Sequence, residues 1–538
     1  MSSPPPLPSV QHGQRILVSV IEKRAQDDFN NTWVSVPVDE NDLSHGFRDI
    51  SYRELNNAAN HAAHWLRQHL PETMESFQPF AYAGPKDLRY SILAVAAAKL
   101  QKVMVLPSPL ITAEAQLQIL NLKGCRIYLR PEVMAEKVNE VAQKAPDMQV
   151  IVVPDIEEFM QDQPAVPYTY PKTWEEGKND PWLVFHTSGT TGNPKPVTYT
   201  QRMMASPDIV ASLSNIEEYL GHQLANSRWH TPLPSLHLVG TLFVLSMTTY
   251  LNMVAVMGPT NFPSSEDMVQ IIKLGRTEGV LVPPVIIDAM CRTPSGLDTL
   301  RQLKYIYYAG APLSAKSADL LTPYTHVAPA IGSTEGGGYF TKSSRRGDIP
   351  YDYVAFQDLA GARFEHRFND LYELVFVRQP NPVLQQIFLL YPDLDRYETK
   401  DLWVEHPSHK GYWKIIGRTD DYVPLAHGDG LHASLLEPEV EAHPAVKAAL
   451  IGGHGRPGPV LIVELYEGYG DGDRRQMLDS LWPYIEKVNM RCHDCVKLSP
   501  ERVIFASKEK PFFQTVKGSV ARMSTLALYE EEITGLFT

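Results

Sequence analysis

The chain has 538 residues, 43% of them apolar, a formal net charge of −13 and four cysteines. That length exceeds one ordinary core and predicts two or more domains. Acid and base are intermixed, which excludes a nucleic-acid surface or polybasic membrane patch, and Cys125, Cys291, Cys492 and Cys495 are too few and too scattered for a disulfide scaffold, so a reducing compartment is expected.

Residues 1–8 lack a basic and an apolar region and read as a flexible leader, not a signal peptide, which makes the expected location cytoplasmic. Helical spacing covers residues 16–25, and residues 33–38 alternate as a strand. Ser51, with Glu54 three positions on, reads as a capping box opening a helix through Leu66. Strands at 80–83, 103–106, 126–129 and 150–153 then alternate with helices at 87–100, 113–122 and 134–143. This period predicts βαβ units and a parallel sheet with helices on both faces. Residues 154–180 are rich in Pro and acid and read as a loop, and 200–213 as a helix. The uncharged stretch 236–257 is long enough to raise a membrane question, but Gly240, Tyr250, Asn252 and several hydroxyls predict a buried helix followed by a buried strand.

The apolar run 182–185 leads into Thr187, Ser188, Gly189, Thr190, Thr191, Gly192, Asn193, Pro194 and Lys195. Glycines let backbone approach an anion, hydroxyls and N–H groups bond phosphate oxygens, and Lys195 adds a compact positive charge. The spacing is not that of the Walker loop. Further on, Ile331, Gly332, Ser333, Thr334, Glu335 and Gly336 offer an oxygen ligand suited to a hard cation, while Asp401 and Arg418 offer a two-oxygen acceptor and a forked donor. Cys492-His493-Asp494-Cys495 is a lone C-x-x-C without a second pair at metal spacing, and it predicts neither zinc nor redox chemistry.

The run Thr187–Lys195 resembles the phosphate loop of the adenylate-forming superfamily, which includes acyl-CoA synthetases, luciferases and the adenylation domains of nonribosomal peptide synthetases. The resemblance covers nearly the whole chain and rests on five such motifs in that superfamily's order. The implied fold is α/β: a large N-terminal adenylate-forming domain of layered βαβ sheets over 1–417, plus a small mobile α+β domain over 418–538, hinged near Asp420. The implied ATP and AMP ligands are Thr187, Ser188, Gly189, Thr190, Thr191, Gly192, Lys195, Gly310, Ala311, Ile331, Gly332, Ser333, Thr334, Asp401 and Arg418. Asp401 would take the ribose hydroxyls, and Glu335 would hold Mg2+. The acid pocket is implied at His237, Leu238, Val239, Gly240, Val282, Pro283, Ala309, Gly310 and Ser333. Lys517, Thr334 and Glu335 would be catalytic. Three departures stand out. Pro329 and Ile331 replace the usual adenine-contacting Asn and Tyr, Lys517 precedes Gly518 instead of following it, and 424–437 carries an extra residue with a Gly428-Asp429-Gly430 turn.

That last variant is similar to the adenylation domains of carboxylic acid reductases and fungal synthetase-like reductases. The resemblance implies ATP-dependent activation of a small carboxylic acid to acyl-AMP, then transfer to the phosphopantetheine thiol of a carrier domain, in cis in a longer parent or in trans. An acyl-CoA ligase shares these motifs, and an inactive nucleotide-binding scaffold is the rival of another class. Leu236 to Thr241 contains no acid to pair with a substrate ammonium, so an aryl or α-keto acid is expected. The tail 523–530 reads as an extra helix leading to a carrier, and since neither a carrier-sized segment nor its attachment motif follows Lys517, the chain is expected to stall at acyl-AMP until a separate thiol arrives.

Overall fold

The computed structural model describes residues 12–27, 31–187, 194–214, 216–343, 347, 349–368, 370–427, 429–469, 474–514 and 520–537. Among these, one compact unit comprises 12–187, 194–361 and 378–395, and a second comprises 362–377 and 396–537.

The first unit holds two large sheets besides two short two-stranded ones. In one, Gln149–Val152, Ile127–Arg130, Pro79–Tyr82, Val103–Val105 and Pro181–His186 run parallel, and Pro196–Thr200 closes the edge antiparallel. The change of direction follows from connection length, because the segment between the last two strands is too short for a crossover helix. In the other sheet the order is His326–Pro329, Tyr305–Tyr308, Gly279–Val282, Arg228–His230, Val254–Val256, Thr32–Pro37 and Phe47–Ser51, all parallel except the last. The expected parallel α/β architecture is present, with antiparallel edges that the alternation of elements did not predict.

Helix Tyr52–His69 begins at the predicted capping box: the Glu54 amide donates to Ser51 Oγ at 3.2 Å, and the Ser51 amide donates to Glu54 Oε2 at 2.7 Å. Its stripe Leu55, Ala58, Ala59, Ala62, Ala63 and Leu66 is buried together with helix Arg89–Lys99. Lys99 lies in this core because its ammonium donates to Glu22, Asn56 and Asn60, each at 2.8 Å. Residues 236–257 form Leu238–Thr241, a π-helical stretch Leu242–Met247, Thr248–Leu251, a left-handed Asn252 and the strand Val254–Val256. The carbonyl of Val244, within the widened turns, accepts the indole N–H of Trp33 at 2.7 Å and the Thr248 hydroxyl at 2.6 Å. No helix among the described residues is long and apolar enough to cross a membrane.

Two expectations change. Residues 154–180 carry one-turn helices at Ile156–Phe159 and Trp174–Gly177. The helix expected over 200–213 divides into Gln201–Met204 and Ser206–Ala211, with Pro207 in the first turn of the second, where its missing N–H does no harm.

The second unit starts with a four-stranded antiparallel sheet, Ala362–Phe368, Leu371–Val377, Arg396–Glu405 and Trp413–Arg418. The hairpin Tyr422–Pro424 with Gly430–His432 follows. A three-stranded sheet is then built from Val446–Gly452, Val460–Leu465 and Val503–Phe505. Strand alternation sends Ala449, Ile451, Leu461 and Val463 to one face, against Leu481, Ile485 and Val488 of helix Arg474–Met490. It sends Ala448, Leu450, Val460 and Ile462 to the other, against Leu526, Tyr529 and Ile533. The tail predicted as an extra helix is therefore two helices, Arg522–Leu528 and Glu530–Gly535, that complete this unit's core.

Candidate active site

Ser188, Gly189, Thr190, Thr191, Gly192 and Lys517 lie outside the described residues. What frames the loop is described. The amide of Thr187 donates to the Lys195 carbonyl at 3.1 Å, and the Lys195 amide donates to Thr187 Oγ1 at 3.4 Å, so the two ends of the loop are clamped together. Just before it, the buried His186 accepts the Ser108 amide on Nε2 at 3.0 Å and turns Nδ1 toward the Thr187 carbonyl at 3.2 Å. Burial lowers its pKa, which keeps the ring neutral and able to accept. Lys195 itself is exposed.

The other predicted ligands of the first unit gather at the carboxyl ends of the seven-stranded sheet, where open α/β sheets place their ligands. Val282 ends one strand and is buried, Pro283 caps the helix after it, and the Ala309 amide donates to the Val282 carbonyl at 3.2 Å. Gly310 and Ala311 follow the neighbouring strand and are exposed, and Gly310 takes a positive φ of 93°. After strand Arg228–His230, the chain folds back so that the His237 amide donates to the Pro234 carbonyl at 2.9 Å. A Cβ on Gly240 would lie 2.2 Å from that same carbonyl oxygen, so only glycine fits there. His237 is half-buried at the start of Leu238–Thr241, with Leu238 buried and Val239 partly so.

Ile331 through Gly338 form a tight hairpin in which Gly332 pairs with Gly338 and Ser333 with Gly337. The Ile331 carbonyl accepts from the Tyr339 amide at 2.8 Å, and Ser333 Oγ accepts from the Gly336 amide at 2.8 Å. A Cβ at Gly332 would approach the Gly337 carbonyl oxygen to 2.4 Å. Thr334 and Glu335 thus stand at the tip of a turn whose backbone is fixed, and both side chains are partly accessible. A hydroxyl beside a carboxylate, with no soft donor, suits a hard cation and phosphate oxygens. These residues fit ATP with Mg2+.

One contact joins the loop's strand to this hairpin and was not foreseen. The phenol of Tyr199, on Pro196–Thr200, donates to the Thr334 carbonyl at 3.0 Å. Burial, and next the negative charge of Glu335, raise its pKa far above the usual phenol range, so it stays a donor. Tyr199 reads as an ordinary inward residue of an alternating strand, and nothing in its spacing marks it as more. Gln386 was missed for the same reason. It lies against Gly337, 2.8 Å from where a Cβ would stand, and donates to the Met203 carbonyl at 3.3 Å.

Asp401 and Arg418 belong to the second unit. They are cross-strand partners, with Arg418 Nη1 donating to Asp401 Oδ1 at 3.2 Å. The Asp401 amide donates to Thr399 Oγ1 at 3.1 Å, and the Thr399 hydroxyl donates to the Leu374 carbonyl at 2.8 Å, which fixes the backbone that carries the carboxylate. Asp420 lies in the 3-10 turn Thr419–Asp421. Arg522 has a structural place: it bonds Glu437 at 2.8 and 2.5 Å and the Ile451 carbonyl at 3.2 Å.

Residues 29–354 match the family described as AMP-binding enzyme, and 420–538 match the AMP-binding enzyme C-terminal domain. A carboxylic acid reductase of Neurospora crassa is 29% identical over 537 residues, covering 98% of this chain and 51% of its own length. The isocyanide synthase-NRPS hybrid crmA of Aspergillus fumigatus is also 29% identical, covering 98% of this chain and 34% of its own. The chain thus spans about half of the first relative's length and about a third of the second's. Among solved structures, the anthranilate CoA ligase AuaEII in complex with anthranoyl-AMP aligns at TM-score 0.71 and 16% identity, covering 96% of this chain and 97% of that one. McyG A-PCP with phenylalanyl-adenylate aligns at 0.70 and 15%, covering 97% and 85%. With its phosphate-loop frame, its Thr334–Glu335 hairpin and family matches along most of its length, the chain belongs to the AMP-binding enzymes of the adenylate-forming superfamily.

Proposed function

We propose that this chain activates a carboxylic acid without an α-amino group, an aryl or α-keto acid, as its acyl-adenylate and delivers it to a phosphopantetheine thiol on a carrier domain. The observation that carries the reading is the hairpin tip: Thr334 and Glu335 are held beside the phosphate-loop strand by Tyr199. A carboxylate oxygen attacks the α-phosphorus of ATP, the bond from that phosphorus to the bridging oxygen breaks, and pyrophosphate leaves with both electrons. No general base is required. Thr334 and Lys517 offset the charge that builds on the α-phosphate, and Lys195 with the hydroxyl loop holds the departing pyrophosphate. Mg2+ on Glu335 neutralises phosphate charge when bound. Asp401 accepts the ribose hydroxyls and Arg418 donates to ribose or phosphate oxygen. Residues 1–417 act as the core domain and 418–538 as the mobile one, turning about Asp420, in keeping with the C-terminal family match starting at residue 420.

The absence of an amino group is supported by the segment 236–241, where Leu236, Leu238, Gly240 and Thr241 are buried and no acid is present. An ammonium without a partner there would cost several kcal/mol. A screen of pyrophosphate exchange into ATP over aryl, α-keto, fatty and amino acids tests this reading, with an aryl or α-keto acid expected to lead. A standard amino acid as best substrate would overturn it. With net charge −13 the protein has little attraction for the phosphates of CoA, so thioester formation should favour a pantetheinylated carrier protein over free CoA at equal concentration. Faster turnover with CoA would place the chain among acyl-CoA ligases.

A further inference from the structure

Two features of the sequence have no part in adenylation, the altered segment after Pro424 and the lone C-x-x-C, and in the second unit they come together. His427 and Asp429 lie between strands Tyr422–Pro424 and Gly430–His432, and Cys495 lies in the turn Asp494–Val496. Cys495 Sγ is 3.3 Å from Asp429 Oδ2, His427 Nδ1 is 3.7 Å from the same oxygen, and the three ligand atoms lie within 4.8 Å of one another. We propose that His427, Asp429 and Cys495 form a zinc site that ties the Pro424–Gly430 connection to the Asp494–Val496 turn.

The donor set is one imidazole nitrogen, one carboxylate oxygen and one sulfur, the mixture that a borderline-soft tetrahedral ion accepts and that Ca2+ or Mg2+ does not. Bonds of about 2.0–2.3 Å at tetrahedral angles separate ligand atoms by roughly 3.3–3.8 Å. The separations of Asp429 Oδ2 from Cys495 Sγ and His427 Nδ1 match that spacing, and the third pair, within 4.8 Å, needs at most a side-chain adjustment. The described residues flanking the site are held in place: the Leu425 amide donates to the Asp429 carbonyl at 2.8 Å, and Val496 anchors the turn in the core. All three side chains are exposed, so water can take the fourth position. The neighbours are committed elsewhere, Cys492 packing against the core and Asp494 pairing with Lys497 at 2.6 Å. The ligating pair is therefore not the C-x-x-C itself. On binding, the Cys495 thiol gives its proton to solvent and its sulfur bonds the ion, neutral His427 contributes its Nδ1 lone pair, and one H+ is released per ion.

The test uses the full chain, freed of metal with a chelator and kept without nucleotide, titrated with Co2+ and then Zn2+. One equivalent of Co2+ should give a thiolate-to-metal charge-transfer band that Zn2+ bleaches. Cys495→Ser should abolish the band, His427→Ala and Asp429→Asn should weaken binding at least tenfold, and Cys492→Ser should leave it unchanged. In the unsubstituted folded chain, Zn2+ should also protect Cys495 from alkylation. A missing band, a band that survives Cys495→Ser, a band lost in Cys492→Ser, or alkylation of Cys495 indifferent to Zn2+ would each overturn the proposal.

Discussion

Tyr199 ties the hairpin at Thr334 to strand Pro196–Thr200 through a single donated hydrogen bond. Tyr199→Phe removes the hydroxyl and keeps the ring, so folding should lose only about 0.5–1.5 kcal/mol. Pyrophosphate exchange should fall about tenfold in kcat with little change in KM for ATP, because the turn loses its positioning while substrate contacts stay. A lowered unfolding midpoint with unchanged kcat would reduce Tyr199 to packing. Thr334, Glu335, Asp401 and Arg418, whose binding roles are proposed, could be singled out in the sequence because residue type in a fixed local order carries their chemistry. Tyr199 and Gln386 were not, since each gains its role from a chain segment over 130 residues away in the one case and 180 in the other. The zinc set was hidden for the same reason, with Cys495 and Asp429 separated by 66 positions.

Local signals place elements well where the stabilising contacts are themselves local. The capping box at Ser51 and Glu54 forms as its spacing requires. Ser51→Ala should therefore cost about 1 kcal/mol, seen as a lower denaturation midpoint with the same m-value. The tail helices make a sharper case. Leu526 is 6% exposed and packs with Tyr529 and Ile533 on the sheet face bearing Leu450 and Ile462. Leu526→Ala should destabilise the chain by about 2–5 kcal/mol, whereas an appended linker helix would tolerate the change. Periodicity gave this helix its place in the sequence but not its partner, because burial on a particular sheet face is a long-range property. The antiparallel edge strand Pro196–Thr200 eluded the βαβ pattern likewise, its direction being set by the short connection and not by its residues.

At the scale of the whole molecule, buried neutral histidines lower stability in acid, while Glu441, pushed up to about 7 by burial, acts the other way. Burial, with the Lys86 charge added, lowers the pKa of His230 to about 3, and burial lowers those of His186 and His326. Below pH 6.5 the unfolded chain takes up these protons and the folded chain does not. The histidine contribution to stability is therefore full above about pH 6.5 and is lost as the pH falls, by about 1.4 kcal/mol at pH 5.5 for a histidine shifted as far as His230. Because burial raises Glu441 to about 7 and so adds stability over the same range, the His230 contribution is read as a difference: between pH 7.5 and 5.5 the unfolding midpoint of wild type should fall more, or rise less, than that of His230→Asn, and equal changes in the two would contradict it. Family membership and the α/β architecture were both legible, since motif order spans most of the chain; the acid itself was not, because a pocket's shape is assembled from several strands. The central claim is transfer of the adenylyl group of ATP to a carboxylic acid, and single-turnover mass spectrometry of wild type and Lys517→Ala with ATP, Mg2+ and the best acid tests it most directly. Wild type should form acyl-AMP and pyrophosphate in equal amounts, and Lys517→Ala should form them several orders of magnitude more slowly while still binding ATP. Wild-type protein that binds ATP but yields neither product, or hydrolyses it without acid, would contradict the account.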